Sequence, residues 1–148
     1  MVPVAGKPAL ARVIQAIENS QQAEGGIICG PSADVVAGSE ALKSVLSNPN
    51  FKWLAPASGP AASALSALEE LNHFPALLTA GDHALLTGEI VDDFCAQALV
   101  PDAGYDLLIG FVPYSLVKAA WPESKRTVLK FSTGYFCGSN PLAVTTTE

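Results

Sequence analysis

Four short stretches of this chain carry residues suited to binding anionic groups or the cations that accompany them: Gly6-Lys7-Pro8, Ser58-Gly59-Pro60, Asp82-His83 and Gly138-Ser139-Asn140. The first combines a glycine that gives backbone room, a lysine that supplies charge and a proline placed to lead into a helix. That is the composition of a phosphate-handling turn, and also of an ordinary helix start. Ser58-Gly59-Pro60 taken alone reads as a helix cap. Asp82 alone reads as a turn acid and Asn140 as a turn amide. Their order along the chain, each in a loop of an alternating strand and helix pattern, is what draws them together.

The elements that would position them follow from apolar periodicity. Leu10, Val13, Ile14 and Ile17 keep the spacing of one helical face, predicting a helix over about residues 8–20. The short apolar run Gly26 to Gly30 predicts a buried strand, a helix follows over about residues 39–47, and Phe51 to Leu54 is a strand. From Gly59 and Pro60 a helix carries Ala61, Ala64, Leu65 and Leu68. Ala76 to Thr79 is a strand that ends in Gly81, Asp82 and His83, so an acid stands at its C-terminal end. A helix begins near Thr87, Asp106 to Val112 is a strand, Tyr114 to Ala120 a short helix, and two strands near the end join through Ser132 to Gly134. This alternation predicts a three-layer α/β/α Rossmann-like sandwich on a mostly parallel sheet, with an antiparallel strand near the end. Ligands of such sheets collect at the C-terminal ends of the strands, which points at Asp82.

Composition bounds the function. A chain of 148 residues fits one domain, 1–148, and chains of this size bury about 70% of their unfolded surface. With 49% apolar and 15% charged residues it is too hydrophobic for disorder, yet no apolar run approaches the ~20 residues of a membrane span. The net charge of −6 and eight scattered Lys and Arg argue against nucleic acid as a partner. Cys29, Cys95 and Cys137 make no C-x-x-C pair and read as buried thiols, and nothing resembles a secretory signal, so the expected compartment is the cytoplasm. Trp53 and Trp121 read as packing anchors, His73 as a surface loop residue, Asp92 and Asp93 as the wet face of a helix. Arg126 and Lys130, before and on the last strand pair, could reach a substrate phosphate, with a solvated strand lysine the commoner reading.

Four longer stretches, "PVAGKPALARVIQAIE", "SGPAASALSALEEL", "PALLTAGDHALLTGEIVDDF" and "GYFCGSNPLAV", resemble the successive motifs of nucleotidyltransferases with the nucleotide-diphospho-sugar transferase fold, in particular the group similar to molybdenum-cofactor guanylyltransferase. The resemblance covers nearly the whole chain. It implies transfer of a nucleoside monophosphate unit from a nucleoside triphosphate to a phosphorylated small-molecule acceptor, with release of pyrophosphate and with Mg²⁺ as cofactor. Carried over by position, Lys7 resembles the lysine that contacts phosphate, and Gly6 stands beside it. Ser58, Gly59 and Pro60 match the loop beside the nucleotide base. Asp82 resembles the metal-binding aspartate, and Asn140 falls where some relatives supply a second metal contact. Lys7 and Asp82 are therefore the expected catalytic residues. No strong general base is required, because an acceptor phosphate is already anionic and needs only alignment and charge neutralisation.

The chain departs from the family at both ends, its C-terminus stopping soon after "SNPLAV", earlier than the resemblance leads one to expect. The strand and the glycine-rich loop of the type A-G-G-x-x-x-R-M that precede the G-K-P turn in relatives do not occur in it, so the fold is expected to be N-terminally truncated, or a natural short form without catalysis. The missing strand belongs at the centre of the sheet. The alternative function is accordingly a non-catalytic nucleotide-binding or interaction protein, and exposed strand edges would favour a homodimer. A hydrolase built on Asp82 and His83 finds no support, since neighbouring side chains at a strand end diverge and no G-x-S-x-G elbow is present.

Overall fold

The computed structural model describes residues 3–100 and 104–146. The Gly-Lys-Pro stretch belongs to a small hairpin. Strand β1 (Pro3–Val4) pairs antiparallel with β2 (Lys7–Pro8), placing Val4 opposite Lys7. The two loop residues, Ala5 and Gly6, have φ of 46° and 77°. Positive φ at both positions is what a two-residue turn of the type I′ kind demands, and Gly6 adopts it without steric cost. Helix α1 (Ala9–Glu18) follows at once. Its Arg12 reaches back, donating from Nε to the Val4 carbonyl (2.8 Å) and from Nη2 to that of Ala5 (3.2 Å), so the hairpin is tied to the helix.

The chain then runs β3 (Gly26–Cys29), α2 (Ala33–Ala37), α3 (Glu40–Leu46), β4 (Phe51–Leu54), α4 (Pro60–Leu71), β5 (Ala76–Leu78), α5 (Gly88–Ala98), β6 (Leu107–Pro113), α6 (Tyr114–Ala120), β7 (Leu129–Phe131) and β8 (Gly134–Val144). Every helix and strand expected from periodicity is present within a few residues, and α2 is an addition. Thr87 caps α5 by accepting from the Ile90 N–H at 3.3 Å. The apolar stripe of α1 serves two core clusters. Ile14 packs with Ile28 of β3 and Phe51 of β4, while Val13 and Ala16 pack with Leu86 and Val91, with Leu77 of β5 against them.

Three layers are visible at β3. Ile28 faces α1, and its neighbour Cys29 donates from Sγ to the Ser63 carbonyl of α4 at 3.2 Å. Adjacent strand residues point to opposite faces, so α1 and α4 sandwich this strand. The mixed α/β character and an antiparallel strand near the end, β8, are as expected, and a first correction is that Lys7 and Pro8, expected in a loop and a helix start, form β2. β3 and β4 are parallel, in register from Gly26 with Phe51 to Cys29 with Leu54. The remaining strands form an antiparallel group, because β8 lies between β5 and β6 and also pairs with β7. β5 and β6 therefore run in the same direction without touching. Among the described residues no strand pairs with the second edge of β3 or of β5.

A second correction concerns Gly138-Ser139-Asn140, expected in a loop and found within β8. Ile109 pairs with Leu142 and Phe111 with Gly138, so one residue of β6, Gly110, faces three of β8. This bulge needs the glycine. A methyl group at Gly110 would lie 2.5 Å from Ser139 Oγ and 2.9 Å from Pro141 Cγ. Asn140 occupies the left-handed region, φ 75°, which asparagine tolerates better than most residues. Further corrections are local. Trp53 packs against the Ile14 cluster as an anchor, whereas Trp121 is 64% exposed. Cys137 is buried, but Cys29 and Cys95 are only half-buried.

Candidate active site

The first question is whether the four stretches meet. Gly81, just after β5, touches the first turn of α1: a methyl group there would lie 3.3 Å from Leu10 Cδ1. At the far end of α1, Gly88 abuts Asn19 so closely that a methyl would sit 2.8 Å from the Asn19 carbonyl oxygen. Also at that end, Ile17 and Glu18 share a shallow cavity with Gly25, Asn50 and Phe51, the residues that begin β3 and β4. Thus α1 runs antiparallel to β3, β4 and β5, and its N-terminus stands at their C-terminal ends. Asp82 follows Gly81, and Lys7 lies two residues before α1.

The Ser58-Gly59-Pro60 loop is fixed over the C-terminal end of β3 by Ser63. The Ser63 N–H donates to the Gly59 carbonyl at 2.9 Å, its Oγ accepts from the Ala57 N–H at 3.0 Å, and its carbonyl accepts from Cys29. Gly59 is extended at φ −177°, and Pro60 opens the helix, where a missing N–H costs nothing. The first turn of α4 therefore keeps free donors at this end. Asn140 arrives from the other side. Leu78 pairs with Leu142, and two residues further along each strand stand Ala80 and Asn140. All four stretches thus lie at one end of the strands, with the α1 entry beside Gly81 and Asn140 beside the end of β5.

Lys7, Ser58, Pro60, Asp82 and Asn140 are exposed there. No hydrogen bond or ion pair joins Lys7, Asp82 and Asn140 among the described residues. His83 is half-buried, and burial pushes its imidazole below its usual pKa; the Asp82 carboxylate opposes this and the Arg126 guanidinium adds to it. It is thus a mostly neutral ring held beside Asp82. Its Nδ1 and the Thr79 hydroxyl are buried without a hydrogen-bond partner among the described residues.

No group of three His, Cys, Asp or Glu side chains suited to a metal occurs among the described residues. A structural zinc cage is not what this site offers. One exposed carboxylate, Asp82, with the Asn140 amide oxygen on the neighbouring strand suits Mg²⁺, which keeps most of its ligands as water and substrate oxygen.

Two residues read in the sequence as able to reach a substrate phosphate have contacts that the sequence did not show. Arg126 donates from Nη2 to the Gly138 carbonyl at 2.7 Å, at the mouth of the bulge that presents Asn140. Lys130 lies over the Tyr135 ring on β7 and β8. Arg12 carried no signal beyond its charge, because its partners are backbone carbonyls.

Residues 1–112 match the family described as MobA-like NTP transferase domain. A solved structure described as a hypothetical transferase from Thermus thermophilus superposes on 97% of this chain with a TM-score of 0.69 and 25% sequence identity. The chain spans about half of that structure, 55% of its length. No curated protein matches the chain in sequence. No helix among the described residues is long and apolar enough to cross a membrane.

Proposed function

The chain belongs to the family of MobA-like NTP transferase domains, and from that membership we propose that it is a nucleotidyltransferase acting on a nucleoside triphosphate and a phosphorylated small-molecule acceptor. The observation that carries this reading is the convergence of the α4 loop, the α1 entry, Asp82 and Asn140 at the C-terminal ends of the strands. An oxygen of the acceptor phosphate forms a bond to the α-phosphorus, the bond from that phosphorus to the bridging oxygen breaks, and pyrophosphate leaves.

The roles follow from position. The Ser58-Gly59-Pro60 loop lies over the end of β3, where small side chains let a base approach the backbone. Lys7 places a cation on the phosphates at the N-terminal end of α1, whose unpaired N–H groups add to it. Asp82 and Asn140 would hold Mg²⁺, which when bound neutralises charge on the phosphate oxygens. Three free thiols and a nucleotide substrate fit a reducing cytoplasm.

A non-catalytic binding or interaction protein remains the second reading, favoured by the edges of β3 and β5 that no described strand pairs and by the apolar outer face of β6, β7 and β8. Such edges accept a strand from another chain, which includes a homodimer.

Calorimetric titration with GTP and with CTP, each with and without Mg²⁺, separates the two. The transferase reading expects binding of one nucleotide that requires the metal and weakens at least about tenfold in Asp82→Ala and in Lys7→Ala. Binding that ignores both variants overturns it.

A further inference from the structure

Between α6 and β7 the chain holds a guanidinium that no carboxylate pairs with among the described residues. Arg126 is bound through Nη2 to the neutral Gly138 carbonyl at 2.7 Å. Among the described residues the side-chain ion pairs are Lys43 with Glu40 and Lys52 with Glu70, and Arg126 joins neither. Using one N–H of five on a carbonyl fixes the plane of the guanidinium and leaves a two-pronged edge for a further acceptor.

Its location gives that edge a purpose. Gly138 begins the bulge that presents Asn140, kept open by the absence of a side chain at Gly110. Asn140 stands beside the end of β5, and Arg126 lies close enough to act electrostatically on His83, the neighbour of Asp82. The α4 loop lies at the end of β3, in the other sheet from β5 and β8. Transfer between two phosphate compounds needs two anions, one on each side of the reacting phosphorus. In a chain of net charge −6, a dianion on the β8 side requires a local cation.

We infer that Arg126 forms the binding site for the phosphate of the acceptor, on the β8 side of Asp82 and apart from the nucleotide. This rests on the transferase reading for the word acceptor; the anion site itself rests only on the geometry of Arg126 and the bulge. A guanidinium suits the task because its fork matches two phosphate oxygens at once, which an ammonium cannot do.

The test uses phenyl phosphate as probe with the full chain, followed by amide and arginine Nε resonances, alongside calorimetry with the Mg²⁺ nucleotide. Phenyl phosphate is expected to shift Gly138, Ser139, Asn140 and the Arg126 Nε signal. Its affinity should fall at least about tenfold in Arg126→Gln and partly recover in Arg126→Lys, with nucleotide affinity nearly unchanged. Shifts centred on Lys7 instead, an Arg126→Gln variant that titrates like the unaltered chain, or equal loss of nucleotide and phosphate binding would each overturn the inference. Should Arg126→Gln fail to fold, the shift map of the unaltered chain decides. Phosphate held by Arg126 in a chain that binds no nucleotide would support the anion site and sink the transferase reading, so the two fail separately.

Discussion

On α1, Val13, Ile14 and Ala16 are 3%, 3% and 4% exposed; on the outer face of β6 and β7, Ile109, Phe111 and Phe131 are 43%, 39% and 50% exposed. Both regions are built of apolar residues, with the spacing proper to their element. The α1 stripe is enclosed because β3, β4, β5 and α5 all present apolar side chains to it. The sheet is enclosed on one face only. Ala143 and Cys137 of β8 point to the covered side and are 2% and 1% exposed. On the other side Leu107, Ile109 and Phe111 succeed each other at alternate positions of β6, and Phe136 and Phe131 continue the same face. Those rings touch one another, with Phe131 5.5 Å from Phe111 and 5.8 Å from Phe136 between centroids. Burial at α1 holds the fold, while an apolar face of this kind marks a surface that associates.

Substitution at the two places should break or uphold that contrast. Ile14→Ala removes a side chain shared by α1, β3 and β4, and should cost about 3 kcal/mol of stability in urea unfolding. Phe131→Ser should cost less than about 1 kcal/mol while lowering concentration-dependent association in sedimentation velocity. If Phe131→Ser unfolds the chain as readily as Ile14→Ala, the outer face is part of the core and the contrast fails.

A smaller effect sharpens the α1 side. Asp92 of α5 is expected on a wet face, but it is the acid that ties α5 to the turn after α1. It accepts from the Ser20 hydroxyl at 2.5 Å and from the N–H groups of Gln21 (2.9 Å) and Gln22 (3.2 Å). The Ser20 hydrogen bond, first, and those backbone N–H groups hold its carboxyl below its usual pKa against desolvation. A depressed carboxyl stabilises the fold above its unfolded pKa and loses that contribution as pH falls through the folded value. Asp92→Asn should therefore lower the unfolding midpoint slightly at neutral pH, and the gap from the unaltered chain should close below about pH 4.

What could be read from the sequence divides along the same line. Helix α1, strands β3 and β4, and helices α3 to α6 are legible because each declares itself in consecutive residues through period and punctuation. Most of β8 is not. Ser139-Asn140-Pro141 has the composition of a turn, and it lies in a strand only because Gly110, 29 residues earlier, admits the bulge. The polar contacts of Arg12, Asp92 and Arg126 were illegible for a related reason. Their partners are backbone groups or a serine of other segments, and Asp92 stands 72 residues from Ser20. For the candidate site, the positions of Lys7, Asp82 and the α4 loop follow from strand ends that the apolar runs reveal. The hold of Arg126 on the Gly138 carbonyl does not, although the residue itself is singled out in the sequence.

The account stands on one claim, that the metal and nucleotide meet at the C-terminal ends of the strands between α1 and β8. Substituting Mn²⁺ for Mg²⁺ in the presence of nucleotide tests it directly, because a paramagnetic ion broadens the amide signals nearest to it. The account predicts broadening centred on Asp82 and His83, extending to Gly6, Lys7 and Asn140, and absent in Asp82→Ala. Broadening centred instead on Glu18 and Glu24, which line the cavity at the opposite end of α1, would contradict it.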